Sequence, residues 1–318
     1  MLSDCGLTVL FAKQLRATAL KKNDLNSSAS QPGILAPIAQ HGRSLTFRLR
    51  PDTDLGATLR RLRDHFDPRS GVLGVGAPLV RKLGQELPGL REFDAIAGPG
   101  CAIPSTQQAL WVMLRNDDRG NLFDYSEHLI SIVADALVLD DAMDTFRYRD
   151  GRDLTGYEDG TENPRDDEAE IAALLASGAG IAGSSFVAVQ RWVHDLNRFR
   201  SFPAQRRDAI IGRRIQDNEE IDDAHESAHV KRTAQESFEP PAFMVRRSMP
   251  WIRAFEQGLE FIAYGHSLDA FETMLRRMAG IEDGIVDALF SFSRPVTGGY
   301  YWCPPIANGK LDLRALGN

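Results

Sequence analysis

From Ser44 to Leu49 polar and apolar side chains alternate (Ser44-Leu45-Thr46-Phe47-Arg48-Leu49), the period-two pattern of a strand with one buried face. The period then changes. Leu55, Leu59, Leu62 and Phe66 recur at helical spacing behind Asp54, a side chain suited to capping a helix. The apolar runs Gly71–Gly76 and Ala109–Leu114 read as strands. Ser126–Asp141 carries Leu129, Ile130, Val133 and Leu137 on one helical face, with Ser126 placed to start the helix, and Phe146–Arg149 reads as a closing strand. The order is β-α-β-β-α-β, which predicts an antiparallel sheet with helices on one face.

A glycine- and acid-rich segment, 150–168, separates this pattern from a second one. Ser185–Trp192 and Gly258–Tyr264 read as strands, Pro203–Arg214 and Leu268–Met278 as helices, and Asp287–Phe292 leads toward Tyr300-Tyr301-Trp302. The expected fold class is α+β, two ferredoxin-like halves at 31–150 and 151–318. No internal sequence repeat accompanies the pattern, so the duplication rests on element order alone. Residues 1–30 hold one short apolar stretch, Leu7–Ala12, then turn basic and Ser/Asn-rich; they are expected to be a disordered or non-core extension, not a secretory signal.

Composition narrows the classes. The 318 residues carry 37 Lys+Arg against 44 Asp+Glu, a net charge of −7, which disfavours a nucleic-acid partner. No apolar run approaches the roughly 18–20 residues that span a bilayer, so no membrane partner is expected. Three separated cysteines, Cys5, Cys101 and Cys303, make neither a disulfide framework nor a cysteine metal site, and a cytoplasmic location is expected. The run Gly71–Gly76 is not a dinucleotide-binding fingerprint.

Candidate chemistry concentrates at three places. Gly156-Tyr157-Glu158-Asp159-Gly160 brackets Asp159 with glycines; such a loop is either a solvated turn or a rigid mount for one carboxylate. His225-Glu226-Ser227-Ala228-His229 matches the H-E-x-x-H zinc pattern, but its acidic flank from Asp217 lacks the apolar periodicity of a core helix and no third ligand is evident. A zinc hydrolase is therefore the weaker reading and a single-histidine role for His229 the stronger. Arg246 lies in the strand-like run Phe243–Pro250, where burying a cation is costly unless it meets an anion. Alternation puts Arg246 and Arg247 on opposite faces, one toward a pocket and one toward water. His194 reads as a satisfied core or interface histidine, His225 as a solvated loop residue, and the four tryptophans mainly as packing.

The loop Gly156–Gly160 resembles the G-x-x-D-G motif of the dye-decolourising peroxidases. From Gln31 onward the chain is similar to their bacterial B-type subgroup, through Gln31–Leu35, Asp159–Pro164, Gln190–Leu196, Ile211–Arg213, Ser227–Val230, Arg246–Pro250 and Arg294–Gly298 in that order. The resemblance implies two ferredoxin-like halves of the kind shared with chlorite dismutases, and haem b in the C-terminal half. It implies His229 as the proximal iron ligand, Asp159 as the distal acid–base and Arg246 as the distal arginine. It points further to Asp287 as the carboxylate that orients the imidazole and to Arg213 as a partner of a haem propionate. Ser248 stands where several members carry asparagine; its hydroxyl reaches less far, which bears on the distal water network and on manganese oxidation. The implied activity is reduction of hydrogen peroxide with oxidation of phenolic, dye-like or other small aromatic donors through a ferryl intermediate, in a homo-oligomer. A haem carrier or iron-releasing protein is the alternative. The ending Leu311–Asn318 lacks the long tail that directs some relatives into encapsulin shells, and no such cargo role is expected.

Overall fold

The computed structural model describes residues 29–317, so the predicted extension falls outside it apart from Ala29 and Ser30. Pairing begins slightly earlier than the sequence indicates, because Ala29 bridges Ile306 through two backbone hydrogen bonds. The buried Gln31 follows. Its amide bonds both backbone groups of Leu73 and the carbonyl of Pro304, which ties the start of the described chain to both halves.

In the N-terminal half, β1 (His41–Leu49), α1 (Leu55–His65), β2 (Gly71–Gly76) and α2 (Ala77–Lys82) lead to a small hairpin of β3 (Ile96–Gly98) and β4 (Cys101–Ile103). β5 (Leu110–Asn116), α3 (Arg119–Val133) and β6 (Leu137–Phe146) complete it. Asp54 caps α1 as expected, accepting from the backbone of Gly56 and Ala57. The predicted helix at Ser126–Asp141 and strand at Phe146–Arg149 are corrected. Asp118 caps Asn121 N and starts the helix a turn and more earlier. The chain turns at 134–136, and Leu137 pairs with Leu49 as the first residue of β6.

In the C-terminal half, α4 (Asp166–Ala173) precedes β7 (Ser185–His194), α5 (Leu196–Ser201), α6 (Ala204–Ile211) and the single turn α7 (His229–Arg232). Then come β8 (Val245–Arg246), β9 (Met249–Arg253), β10 (Glu256–Gly265), α8 (Asp269–Met278), β11 (Ser293–Pro295) and β12 (Gly299–Cys303). The predicted helix at Pro203–Arg214 stops at Gly212, which takes the left-handed conformation that ends helices.

Each half has the ferredoxin-like strand order, β6-β1-β5-β2 and β12-β7-β10-β9, all antiparallel. The halves are not two separate sheets packed face to face. β2 pairs with β12, and β6 meets β9 at Thr145 and Trp251, so the strands return to β7 as one closed ring. Closure leaves the edges of each half paired with the other. Successive residues of each strand enter opposite layers. Trp111, Met113, Val187, Val189, Ile262, Tyr264 and Tyr301 fill the interior of the ring. Leu110, Val112, Ala188, Ala263 and Tyr300 face the outer helices. α8 sets Phe271, Met274, Leu275 and Met278 toward that outer face, each burial worth roughly 1.5–3 kcal/mol.

Candidate active site

The bracketing glycines of the Asp159 loop both adopt left-handed backbone, φ 94° at Gly156 and 75° at Gly160. Between them Tyr157 turns inward onto Phe199, Ile210 and Phe292, and its hydroxyl donates to Asp208. Arg152 staples the loop from outside, bonding Gly156 O at 3.1 Å and Glu158 Oε1 at 2.9 Å. The loop is therefore a mount, and it turns Asp159 into a cavity in the C-terminal half. The walls are the outer face of β7 and β10 (Gln190, Trp192, His194, Leu259, Phe261), the inner face of α8, and His229 and Arg246.

Arg246 Nη1 stands 4.0 Å from Asp159 Oδ1. Burial raises the Asp159 carboxyl above its ordinary value, and the nearby Asp153 adds to the rise, while the Arg246 charge opposes it. The backbone of Arg246 is clamped by Asn163, 83 residues away in sequence. Asn163 Oδ1 accepts from Arg246 N at 2.8 Å, and Asn163 Nδ2 donates to Arg246 O at 3.1 Å. Gln235 anchors the same loop, donating to Glu162 O and accepting from Met244 N. Arg247 points the other way, as alternation requires, but not into water. Its guanidinium donates to the carbonyls of Leu35, Ala36 and Arg246.

His229 opens α7. Its Nδ1 lies 2.8 Å from Oδ2 of the fully buried Asp287, whose Oδ1 accepts from Leu289 N. Asp287 is itself held by its backbone bond to Met278 at the end of α8. Nε2 is thereby left as the free nitrogen of an imidazole on the cavity wall. His225 sits in an exposed loop and bonds Ser227, so the two imidazoles of the H-E-x-x-H pattern do not share a helix face. Among the described residues no cluster of three or more His, Cys, Asp or Glu is arranged to hold a metal ion.

Two other candidates stand off the cavity. Arg213 is taken up by Glu162, Glu220 and Asn218 O. Ser248 is buried, and its hydroxyl accepts from Ile262 N. The sequence reading assigned no role to three residues that matter to the site, Asn163, Gln190 and Asp153, and gave His194 only a packing role. Gln190, Trp192 and His194 share one strand face by alternation, and two polar groups on a face of that kind are a readable signal. His194 is satisfied on both nitrogens as expected, but it also lines the cavity.

A family model for the C-terminal region of Dyp-type peroxidases matches residues 150–308. The dye-decolorizing peroxidase of Mycobacterium tuberculosis is 31% identical over 253 residues, covering 77% of this chain and 76% of that protein. The chain belongs to the dye-decolourising peroxidase family. The Brevibacterium linens dye-decolorizing peroxidase is 30% identical over 287 residues, 87% of this chain and 74% of the relative. Among solved structures, DyPB from Rhodococcus jostii superposes with a TM-score of 0.80 at 27% identity, covering 87% of this chain and 96% of that one. The dye-decolorizing protein from V. cholerae gives 0.79 at 28% identity, covering 90% and 98%. The chain is thus a peroxidase with the α+β fold of this family. Solved structures of Rhodococcus jostii DypB variants are described as complexes with heme.

Proposed function

We propose that this peroxidase uses haem b, held in the C-terminal cavity through His229, to reduce hydrogen peroxide and oxidise phenolic or dye-like donors. The observation that carries the reading is the His229–Asp287 pair, an imidazole oriented by a buried carboxylate with Nε2 free on an apolar cavity wall. The residues fit the group: Leu259 and Phe261 of β10 and Phe271, Met274, Leu275 and Met278 of α8 give the cavity an apolar wall on which a few polar groups converge. The buried Gln190 Nε2 on the same wall has no partner. Bound there, haem supplies the iron at which the peroxide O–O bond breaks and stores the two oxidising equivalents.

Asp287 accepts from Nδ1, fixing the tautomer and the ring plane and making Nε2 a stronger donor. Asp159 takes the proton from one peroxide oxygen, holds it on its carboxylate and returns it to the other, which leaves as water. A carboxyl raised by burial suits the first half of that exchange, since it accepts a proton more readily than an ordinary aspartate. Arg246 offers fixed positive charge to the oxygen that becomes negative, and Asn163 keeps it from drifting. Apolar side chains exclude bulk water, so each of these charges acts at low dielectric.

The test is an absorption spectrum of protein purified after growth with iron and haem precursor, before and after one equivalent of hydrogen peroxide. A histidine-ligated Soret band that shifts rapidly on peroxide is the expected result. Asp159→Ala should keep the resting band and slow the shift about 10²–10⁴-fold. A resting band that peroxide leaves unchanged in the wild type refutes the reading.

A further inference from the structure

The Asp153–His194–Ser293 chain is not used by the exchange at Asp159. His194 is nearly fully buried at the end of β7. Its Nε2 lies 3.1 Å from Asp153 Oδ1 and its Nδ1 2.6 Å from Ser293 Oγ. The other Asp153 oxygen accepts from both the hydroxyl and the backbone N–H of Thr155. Asp153, Thr155 and His194 line the cavity. Ser293 lines a second, outer pocket, bordered also by Asp195, Arg198 and Gln257. His194 and Phe292 belong to both walls, with ring centres 5.9 Å apart, so they form the partition between the two spaces.

We propose that His194, held between Asp153 and Ser293, carries protons from the outer pocket into the cavity. This rests on the peroxidase reading. Reduction of hydrogen peroxide to two waters consumes two protons and two electrons. A phenol gives one proton with each electron. A donor that yields only electrons, or one too large to enter, leaves both protons to come from solvent. In the route assigned here, the Ser293 hydroxyl gives a proton to Nδ1, the imidazolium so formed gives its Nε2 proton to water in the cavity beside Asp153, and reorientation of the neutral ring between its two partners resets the relay. Ser293 is reprotonated from water in the outer pocket. Asp153 is held low, to about 2, with burial pushing it up and the His194 imidazole and the Thr155 bonds outweighing that. An ionised Asp153 stabilises the imidazolium while the proton is in transit.

The experiment compares ferrocyanide, which gives electrons alone, with a small phenol in holoenzyme turnover. His194→Gln should lower the ratio of ferrocyanide to phenol rates at least tenfold, and added imidazole should restore it. A ratio that stays within twofold, or a loss that imidazole does not repair, overturns the proposal. A second readout needs no haem: ring-nitrogen NMR of the full chain, following solvent exchange of the His194 Nε2 proton. Ser293→Ala should slow that exchange at least tenfold, and equal or faster exchange overturns the route. A wild type without peroxide turnover refutes the peroxidase reading separately, and the exchange measurement still decides the route.

Discussion

Replacing Asn163 by alanine separates positioning from stability at the Asp159–Arg246 pair. The side chain makes two bonds to the backbone of one residue, Arg246, at 2.8 and 3.1 Å. Each contributes about 1 kcal/mol net, so both together are worth about 2 kcal/mol, and the half-buried setting lets water recover part of it. For a chain of this size that is a fall in melting temperature of about 4 °C or less. The kinetic effect should be larger. Arg246 lies on the two-residue strand β8, paired to β10 through Ala263 and Tyr264 and touched at its carbonyl by Arg247, so Asn163 supplies the bonds that tie its backbone to the Asp159 loop. A displacement of about 1 Å costs on the order of 10²-fold in a positioned reaction. Stopped-flow reaction of the holoenzyme with peroxide should therefore slow about 10–100-fold, with haem content retained. Tyr125→Phe is the control. It removes one bond, to Asp67 N, in the other half, and should lower melting temperature without touching the peroxide step. An Asn163→Ala protein that melts lower but reacts with peroxide at the wild-type rate refutes the clamp.

Other outcomes follow from the same geometry. His229→Ala should abolish haem retention, while Asp287→Asn, which sets an amide N–H₂ against Nδ1–H, should weaken it about 10–100-fold in a haem-transfer assay. Because the Asp159 carboxyl is raised in the fold, the folded state binds more protons than the unfolded one between the unfolded value and the folded one. Stability from this group therefore falls as pH rises through that window. Asp159→Asn should melt higher than wild type at pH 7, with the gain vanishing below about pH 4, and the wild-type peroxide step, which needs the ionised carboxylate, should decline as pH falls, beginning above the ordinary aspartate range. Asp153 has the opposite sign. Held to about 2, it stabilises by about 2 kcal/mol above pH 4, lost as pH falls toward 2, so Asp153→Asn should lower the melting temperature at neutral pH.

Period and capping made much of the fold readable. α1 announced itself through Asp54 and the leucines behind it. α3 did not, because its first turn, Arg119-Gly120-Asn121, has no apolar stripe and is started by a cap at Asp118. β6 was hidden for a different reason. Asp140 and Asp144 are poor strand residues alone, yet each finds an arginine on the neighbouring β1, Arg48 at 3.8 Å and Arg43 at 3.1 Å. Only the pairing of strands reveals that compensation. At the site, the glycines bracketing Asp159 drew attention to the loop but left a solvated turn open, and only the resemblance to the G-x-x-D-G motif assigned its carboxylate a role. Asp153 and His194 are 41 residues apart, and Asn163 and Arg246 are 83 apart, so no local pattern could join them.

The two halves share a strand order but not a cavity, and the difference lies in the first crossover of each. In the N-terminal half α1 spans eleven residues and seats Leu55, Leu59 and Leu62 in the outer core with Leu45 and Phe47 of β1. β1 can be apolar there because a helix covers it. In the C-terminal half the crossover from His194 to Val245 is some fifty residues, broken into α5, α6, α7 and acidic loop. No long helix lies over β7, whose corresponding face carries Gln190 and His194 beside Trp192. Polar groups on a sheet face would be costly under a packed helix. Beside an open cavity they escape that cost. The space and the side chains that need it thus have one origin, a crossover too long and too polar to close down on its own sheet.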